Sequence, residues 1–262
     1  MSSVDPPDHF VFRHMMEEER MIYVTGDTHR EFSRFSGLDL TEEDLIIVLG
    51  DVGINYYLDS SDDRVKKKLS KYPCSFFFVR GNHEERPENI EGYELKQVEG
   101  IVRGSIFVQK KYPKLMFATE GLYEIDGNRC FVTNGAYSVD KYYRLEKGIS
   151  WFPDEELSDA EMADTLAKAE HAGSVDYVFS HTCPAKYMPT FMFIDGLDKS
   201  KVSHRMEDFY DQLEETLDYK RWWCGHFHTD WSIDKMRFMY YDILELKKVE
   251  HEKDTNIISS DI

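Results

Sequence analysis

Five short stretches of this chain are dense in side chains that bind metal ions: Gly26-Asp27-Thr28-His29, Gly50-Asp51, Gly81-Asn82-His83-Glu84, Ser180-His181 and Gly225-His226-Phe227-His228. Together they offer carboxylate and amide oxygens and imidazole nitrogens, the mixture that hard and borderline divalent cations accept. Asp27 and His29 stand two apart, so in extended backbone they project to one side and can grip one ion, and His226 and His228 likewise offer two imidazoles on one side of an extended strand. Asn82 supplies a neutral oxygen, and His83, facing the other way, can handle a proton. Asp51 repeats the Gly-Asp arrangement of Gly26-Asp27, and a carboxylate between two cations can bridge them. The chemistry that uses such a set is metal-assisted hydrolysis.

Taken singly, each stretch has an ordinary reading. Gly-Asp is a common strand-ending turn, Asp-x-His can be a solvated turn, His-x-His can lie on a surface strand, and a lone histidine such as His181 more often makes a structural hydrogen bond. What sets them apart is their placement. Met21 to Thr25, Leu45 to Leu49, Ser75 to Val79 and Val175 to Phe179 are apolar runs with the form of buried strands, and each delivers one of the stretches. Asp59 to Lys71 between the second and third runs carries Val65 and Leu69 on one helical face. This alternation of strand and helix puts chemistry at the carboxyl ends of strands, where open α/β sheets place their sites.

From Glu94 to Val132 the spacing predicts short strands over 94–98, 105–108, 114–118, 122–125 and 129–132, with Asp126-Gly127-Asn128 as a hairpin turn. A helix is predicted over Asp154 to His171 after Pro153, another over Ser203 to Leu217, and a strand over Arg221 to Cys224 that delivers His226. A hairpin over Trp231 to Tyr241 and a strand over Asp242 to Leu246 follow. One domain over 21–249 is expected, with a polar leader at 1–20 and a polar tail at 250–262.

The chain has 262 residues, of which 41% are hydrophobic and 14% aromatic, enough for a large core. Its formal charge of -18 repels polyanions, so no extended nucleic-acid footprint is expected. A bound cation can still hold a phosphate on such a surface, because it dominates the potential at short range. Cys74, Cys130, Cys183 and Cys224 stand apart without C-x-x-C spacing, which suits a reducing compartment. With no signal-like or membrane-spanning stretch, the expectation is a cytoplasmic protein.

The ordered set Asp-x-His, Gly-Asp, Gly-Asn-His-Glu, His and Gly-His-x-His, running from Asp27 to His228, resembles the calcineurin-like metallophosphoesterase superfamily. That resemblance implies a mixed α/β (α+β) fold, a four-layer α-β-β-α sandwich of two mixed β-sheets with a dinuclear metal site at strand ends. It implies that Asp27, His29 and His228 hold one ion, that Asn82, His181 and His226 hold the other, and that Asp51 bridges them. His83 becomes the proton donor to the leaving oxygen or a stabiliser of the phosphoryl oxygens, and a hydroxide bridging the ions becomes the nucleophile. Two divalent cations are expected, Mn²⁺ first and Fe, Zn or Ni as alternatives, because cellular supply selects among them as much as ligand type does.

Ser/Thr protein phosphatases of the superfamily follow the second motif with Asp-Arg-Gly, whose arginine holds phosphate. Here the stretch is Gly50-Asp51-Val52-Gly53-Ile54-Asn55-Tyr56, with Asn55 in the arginine's place. Arg80 directly follows a strand and reads as structural. Candidate substrate contacts are therefore Arg30, Asn55, Tyr142 and Arg144, the last two within an aromatic and basic segment over 136–153 that either cradles a planar group or packs as core. Glu84 either orients His83 or a backbone group, or forms a structural ion pair. The remaining His9, His14, His171, His204 and His251 match no ligand spacing and read as surface or structural residues. The expected activity is that of a phosphodiesterase or a small-molecule or nucleotide phosphatase. Alternatives are a protein phosphatase or nuclease of the same superfamily, or a non-catalytic scaffold.

Overall fold

The computed structural model describes residues 20–192 and 202–250. The expected leader and tail lie almost wholly outside the described residues, as do His9, His14 and His251. Three of the apolar runs are neighbouring parallel strands, β1 (Ile22–Thr25), β2 (Leu45–Leu49) and β3 (Ser75–Val79). β2 lies in the middle, with Ile47 in register with Val24 on one side and Phe77 on the other. Helix α1 (Ser60–Leu69) crosses from β2 to β3 and is capped by Asp59, whose side chain accepts the Ser61 N–H.

The chain then turns antiparallel through β4 (Tyr93–Val98), β5 (Val102–Gln109), β6 (Tyr112–Ala118), β7 (Gly121–Ile125) and β8 (Asn128–Val132). β5 joins the two halves of the architecture: Val102 and Arg103 pair with β7, while Ile106 to Gln109 pair with β6, which in turn lies parallel to β3. Next come helix α2 (Lys141–Lys147), helix α3 (Asp159–Ala172), β9 (Ser174–Ser180), helix α4 (Arg205–Thr216) and β10 (Asp218–Cys224). β8, β9 and β10 are parallel neighbours. β11 (Trp231–Ile233) and β12 (Met236–Phe238) form the closing hairpin beside β10, and β13 (Leu244–Glu245) returns antiparallel to β1. The product is a mixed α/β fold with one large, curled, mixed sheet in the order β11-β12-β10-β9-β8-β7-β5-β6-β3-β2-β1-β13.

Strand runs such as Leu45–Leu49 are apolar at every position because both faces are covered. Alternate residues enter different clusters. Val24, Ile47, Leu49, Phe77 and Val79 pack with Val132, Tyr177, Phe179 and Trp223 from the other half of the sheet. The intervening Ile46, Val48, Phe76 and Phe78 pack with Phe32, Phe35 and Leu69. On the other half, Phe131, Val178 and Trp222 pack against Ala169 of α3 and Met206, Tyr210 and Leu213 of α4. Each fully buried phenylalanine contributes roughly 2–3 kcal/mol, so these clusters hold the strand ends in fixed relation.

Two expectations change. Helix α3 begins at Asp159, five residues beyond the predicted start, because Ser158 and Glu161 form a reciprocal capping box there. The Asp154 and Glu156 carbonyls are taken by the Arg86 guanidinium at 2.8 and 3.0 Å, which keeps that stretch a loop. The segment read only as aromatic and basic contains helix α2, which ends at Gly148 with φ 65°. No helix among the described residues is long and apolar enough to cross a membrane.

Candidate metal centre

The carboxyl ends of β1, β2, β3, β9 and β10 deliver Asp27, Asp51, Asn82, His181 and His226 to one place. Five non-glycine residues there hold positive φ: His29 (43°), Arg30 (71°), Asp51 (48°), His226 (66°) and His228 (48°). Such backbone is disfavoured for side chains with a Cβ and gathers at functional sites, where packing over-determines it. Two of the preceding glycines are dictated by close approach. A Cβ on Gly81 would lie 2.1 Å from Asp51 Oδ1, and one on Gly50 would lie 2.1 Å from His181 Nδ1.

The side chains form two adjoining groups. His29 Nε2 and His228 Nε2 are 2.9 Å apart, and His228 Nε2 is 3.7 Å from Asp27 Oδ1. In the second group Asn82 Oδ1 lies 2.9 Å from His181 Nε2 and 3.1 Å from His226 Nδ1. His181 Nε2 is also 3.5 Å from Asp51 Oδ1 and 3.9 Å from Asp27 Oδ1. Two ligands about 2.1 Å from one ion and at right angles stand about 3.0 Å apart. The observed separations are of that size, and the donor set of carboxylates, one amide oxygen and imidazoles suits divalent cations. Asp27, His29 and His228, and again Asp27, Asp51 and His181, are groups that could hold a metal ion. Asp27 belongs to both, whereas Asp51 belongs to the second alone.

Burial and charge set the protonation states. Burial is the largest influence on Asp27 and pushes it up to about 7, although His181 opposes it. Burial would also raise Asp51, but His83 and His181 beside it hold it well below the usual carboxylate range. His181 is buried, yet Asp51 and Asp27 outweigh that and raise it to about 9. Burial lowers His29 to about 4 and also lowers His83, His226 and His228. The neutral imidazoles therefore present lone pairs to the site, and the one charged ring, His181, faces the Asp51 carboxylate and an Asp27 carboxyl that shares a proton near neutrality.

A second tier of contacts aims these groups. The Leu49 carbonyl accepts from His181 Nδ1 at 2.7 Å, which leaves Nε2 facing the centre. The Asn82 amide donates to Ser138 Oγ at 2.9 Å, and Ser138 donates onward to Glu155 Oε2 at 2.5 Å, so the Asn82 oxygen points at the imidazoles. The His226 backbone N–H donates to Asp27 Oδ2 at 2.9 Å, and the His83 N–H donates to Asp51 Oδ1 at 2.9 Å. Glu84 is buried and accepts the Gly53 N–H at 3.0 Å, so it holds the loop after Asp51 and not the His83 ring.

A cleft of about 760 Å³ opens over the centre. His83 lines it, with Nε2 3.1 Å from Arg144 Nη2 and 3.8 Å from Asp51 Oδ2. Of the residues considered as substrate contacts, Arg144 and Arg30 line the cleft, but Arg30 is bound to Asp62 at 2.6 Å and to the Gly53 and Ser61 carbonyls. Asn55 is buried outside the lining, where its side-chain oxygen accepts the Tyr93 hydroxyl at 3.0 Å. Tyr142 is exposed on α2, also outside the lining. Arg80 is buried and donates to the Glu155 carbonyl at 3.0 Å, in keeping with a structural part. His204, read as surface or structural, lines the cleft, whereas His171 lies on α3 away from it. Sequence reasoning passed over Tyr56, Ser138 and Glu155; the aromatic and basic segment was the one signal near them.

This arrangement defines a mixed α/β protein with strand-end acids and imidazoles able to hold metal. The chain belongs to the calcineurin-like phosphoesterase family, whose pattern it matches over residues 21–230. No curated protein matches it. Among solved structures it is similar to a phosphopantetheinyl hydrolase from Mycobacterium tuberculosis, at 14% identity over 85% of this chain and 88% of that one, with a TM-score of 0.39. It is also similar to a protein of unknown function from Aquifex aeolicus, at 14% identity over 87% of this chain and 96% of that one, with a TM-score of 0.32.

Proposed function

We propose that this protein hydrolyses small phosphate esters, as a phosphodiesterase or a small-molecule or nucleotide phosphatase, using two divalent cations. The observation that carries this reading is the meeting of Asp27, His29, Asp51, Asn82, His181, His226 and His228 from five strand ends beneath one cleft. Asp27, His29 and His228 would hold one ion and Asn82, His181 and His226 the other, with Asp51 shared. When bound, the ions lower the pKa of a water and neutralise charge on the phosphate. The three separate apolar clusters, one between the halves of the sheet and one under the helices on either side, support reading the fold as a four-layer α-β-β-α sandwich.

The chain's own groups do the rest. His181 keeps its Nδ1 on the Leu49 carbonyl and so offers Nε2 inward. Ser138 and Glu155 keep the Asn82 oxygen turned to the same point. His83 is neutral in the resting site, where it accepts from Arg144. An entering phosphate anion favours the charged imidazole, so His83 can take up a proton and pass it to the departing oxygen.

The test is hydrolysis of an aryl phosphate diester and monoester by protein stripped of metal, verified by elemental analysis, and then reloaded with Mn²⁺. Turnover is expected to vanish on stripping and return on reloading. Unchanged turnover by the verified metal-free protein would refute the reading.

A further inference from the structure

The walls of the cleft carry information that the metal centre does not. Two arginines line it, and both are already committed. Arg30 is tied to Asp62 and two carbonyls. Arg144 gives its Nε to both oxygens of Asp140 at 2.8 Å, Nη1 to the Tyr56 hydroxyl at 2.9 Å and the Ser150 carbonyl at 3.2 Å, and Nη2 to His83. No lysine lines the cleft among the described residues, and Asp140 adds a carboxylate to its wall. The surrounding chain is acidic, at -18. Among the described residues a second phosphate on a substrate would find no unpaired arginine or lysine there, His204 being the one further basic side chain on the wall outside the metal centre, and it would face the Asp140 carboxylate.

Apart from the metal-centre residues, Gly53 and His204, the rest of the wall is apolar or aromatic: Tyr56, Tyr57, Val139, Val202 and Phe227. Tyr57 and Val139 are 55% and 50% exposed although they lie at the edge of a concave site. Tyr57 is braced by Tyr56, ring centroids 4.7 Å apart and edge-on, and by the Arg30 guanidinium 4.9 Å from its centroid. A braced aromatic ring left open to a cleft is surface that an apolar ligand group would cover favourably.

We infer that the cleft selects phosphate esters with a single phosphate and an uncharged aromatic or apolar group, and disfavours substrates carrying further phosphates. This rests on the proposed function and narrows its substrate class. The test is calorimetric binding of unreactive probes to the Mn²⁺-loaded protein, so that it does not depend on turnover. The probes are benzylphosphonate, methylphosphonate, and the benzyl compound with a second phosphonate at the para carbon of the ring, in which carbon holds the phosphorus and no ester bond is present to cleave. The benzyl probe is expected to bind at least about tenfold more tightly than either of the others, equal to ~1.4 kcal/mol, and Tyr57→Ala to shrink its advantage over the methyl probe. Equal binding of the benzyl and methyl probes, tighter binding of the probe with two phosphonates, or no binding by any probe would overturn the inference. Selective binding of the benzyl probe without hydrolysis of any aryl phosphate would instead count against the proposed activity alone.

Discussion

His181 Nε2 meets the side-chain oxygen of Asn82 at 2.9 Å across ninety-nine residues of chain. Its other nitrogen is on the Leu49 carbonyl, and its pKa is raised to about 9 by Asp51 and Asp27 against the effect of burial. In the metal-free protein the ring is therefore charged at neutral pH and donates from both nitrogens. A cation at Nε2 must displace that proton. The apparent affinity for Mn²⁺ should then rise with pH from neutrality to about 9 and level off above it. Titration calorimetry in buffers of different ionisation enthalpy should find at least about one proton released per protein at neutral pH. Zero release would mean that His181 is not a ligand.

The bridging role proposed for Asp51 makes a distinct prediction about metal content. His228 is half exposed at the edge of the centre, whereas Asp51 is buried. Elemental analysis of Asp51→Asn should show both ions lost, and His228→Ala should lose no more than one. Activity should fall by more than about 100-fold in Asp51→Asn. Should Asp27→Asn strip both ions while Asp51→Asn keeps one, the bridge belongs to Asp27, the one residue that lies in both groups.

Ser138 touches neither substrate nor metal in the proposed arrangement, yet it fixes which end of the Asn82 amide faces the imidazoles. Replacing it with alanine leaves a buried Asn82 N–H unpaired, which costs about 1–3 kcal/mol and removes the preference for the productive orientation. Ser138→Ala should weaken metal binding by roughly 10–100-fold, with Ser138→Thr retaining most of it. A merely structural role would lower the melting temperature and leave the metal titration unmoved.

His83→Ala separates proton handling from metal binding. The ring is not in either metal group, so the variant should keep its metal while kcat falls by about 10²–10⁴ for esters with alkyl leaving groups. Aryl leaving groups need little proton donation, and their loss should be much smaller. A uniform loss across leaving groups, read from the dependence of rate on leaving-group pKa, would place His83 in charge stabilisation and not in proton transfer.

Much of this centre was legible because its backbone physics is local. The runs ending at Thr25, Leu49 and Val79 are almost wholly apolar, each reaches a glycine within two residues, and the residue after that glycine has to sit at a strand end. Side chains that act by pairing with distant partners were not legible. Arg30 reads as a free cation until Asp62 is seen beside it, and Asn55 reads as a substrate contact until Tyr93 covers it. Ser138 and Glu155 carry no spacing at all, since their meaning comes from Asn82, more than fifty residues away. The start of α3 was missed for a similar reason: Arg86, from another part of the chain, holds the carbonyls of Asp154 and Glu156 out of the helix.

Glu84 gives a stability prediction whose sign runs opposite to that of an ion-paired acid. It is fully buried, and its carboxyl is held only by backbone, with one oxygen accepting the Gly53 N–H and the Gly81 N–H also directed at it. Burial, then the nearby Asp51 charge, raises its pKa from the ordinary 4.5 to about 8. The folded protein thus keeps a proton that the unfolded chain gives up above about 4.5. The contribution to stability is full below that value and declines as pH rises toward about 8, at up to roughly 1.4 kcal/mol per pH unit. Glu84→Gln keeps an acceptor for Gly53 and cannot ionise. Denaturant titrations of the metal-free proteins across this range should show a shallower fall of stability for the glutamine variant than for the wild type. Parallel slopes would mean that Glu84 ionises in the fold as readily as in water, and that the buried carboxyl behind Asp51 has a charged partner.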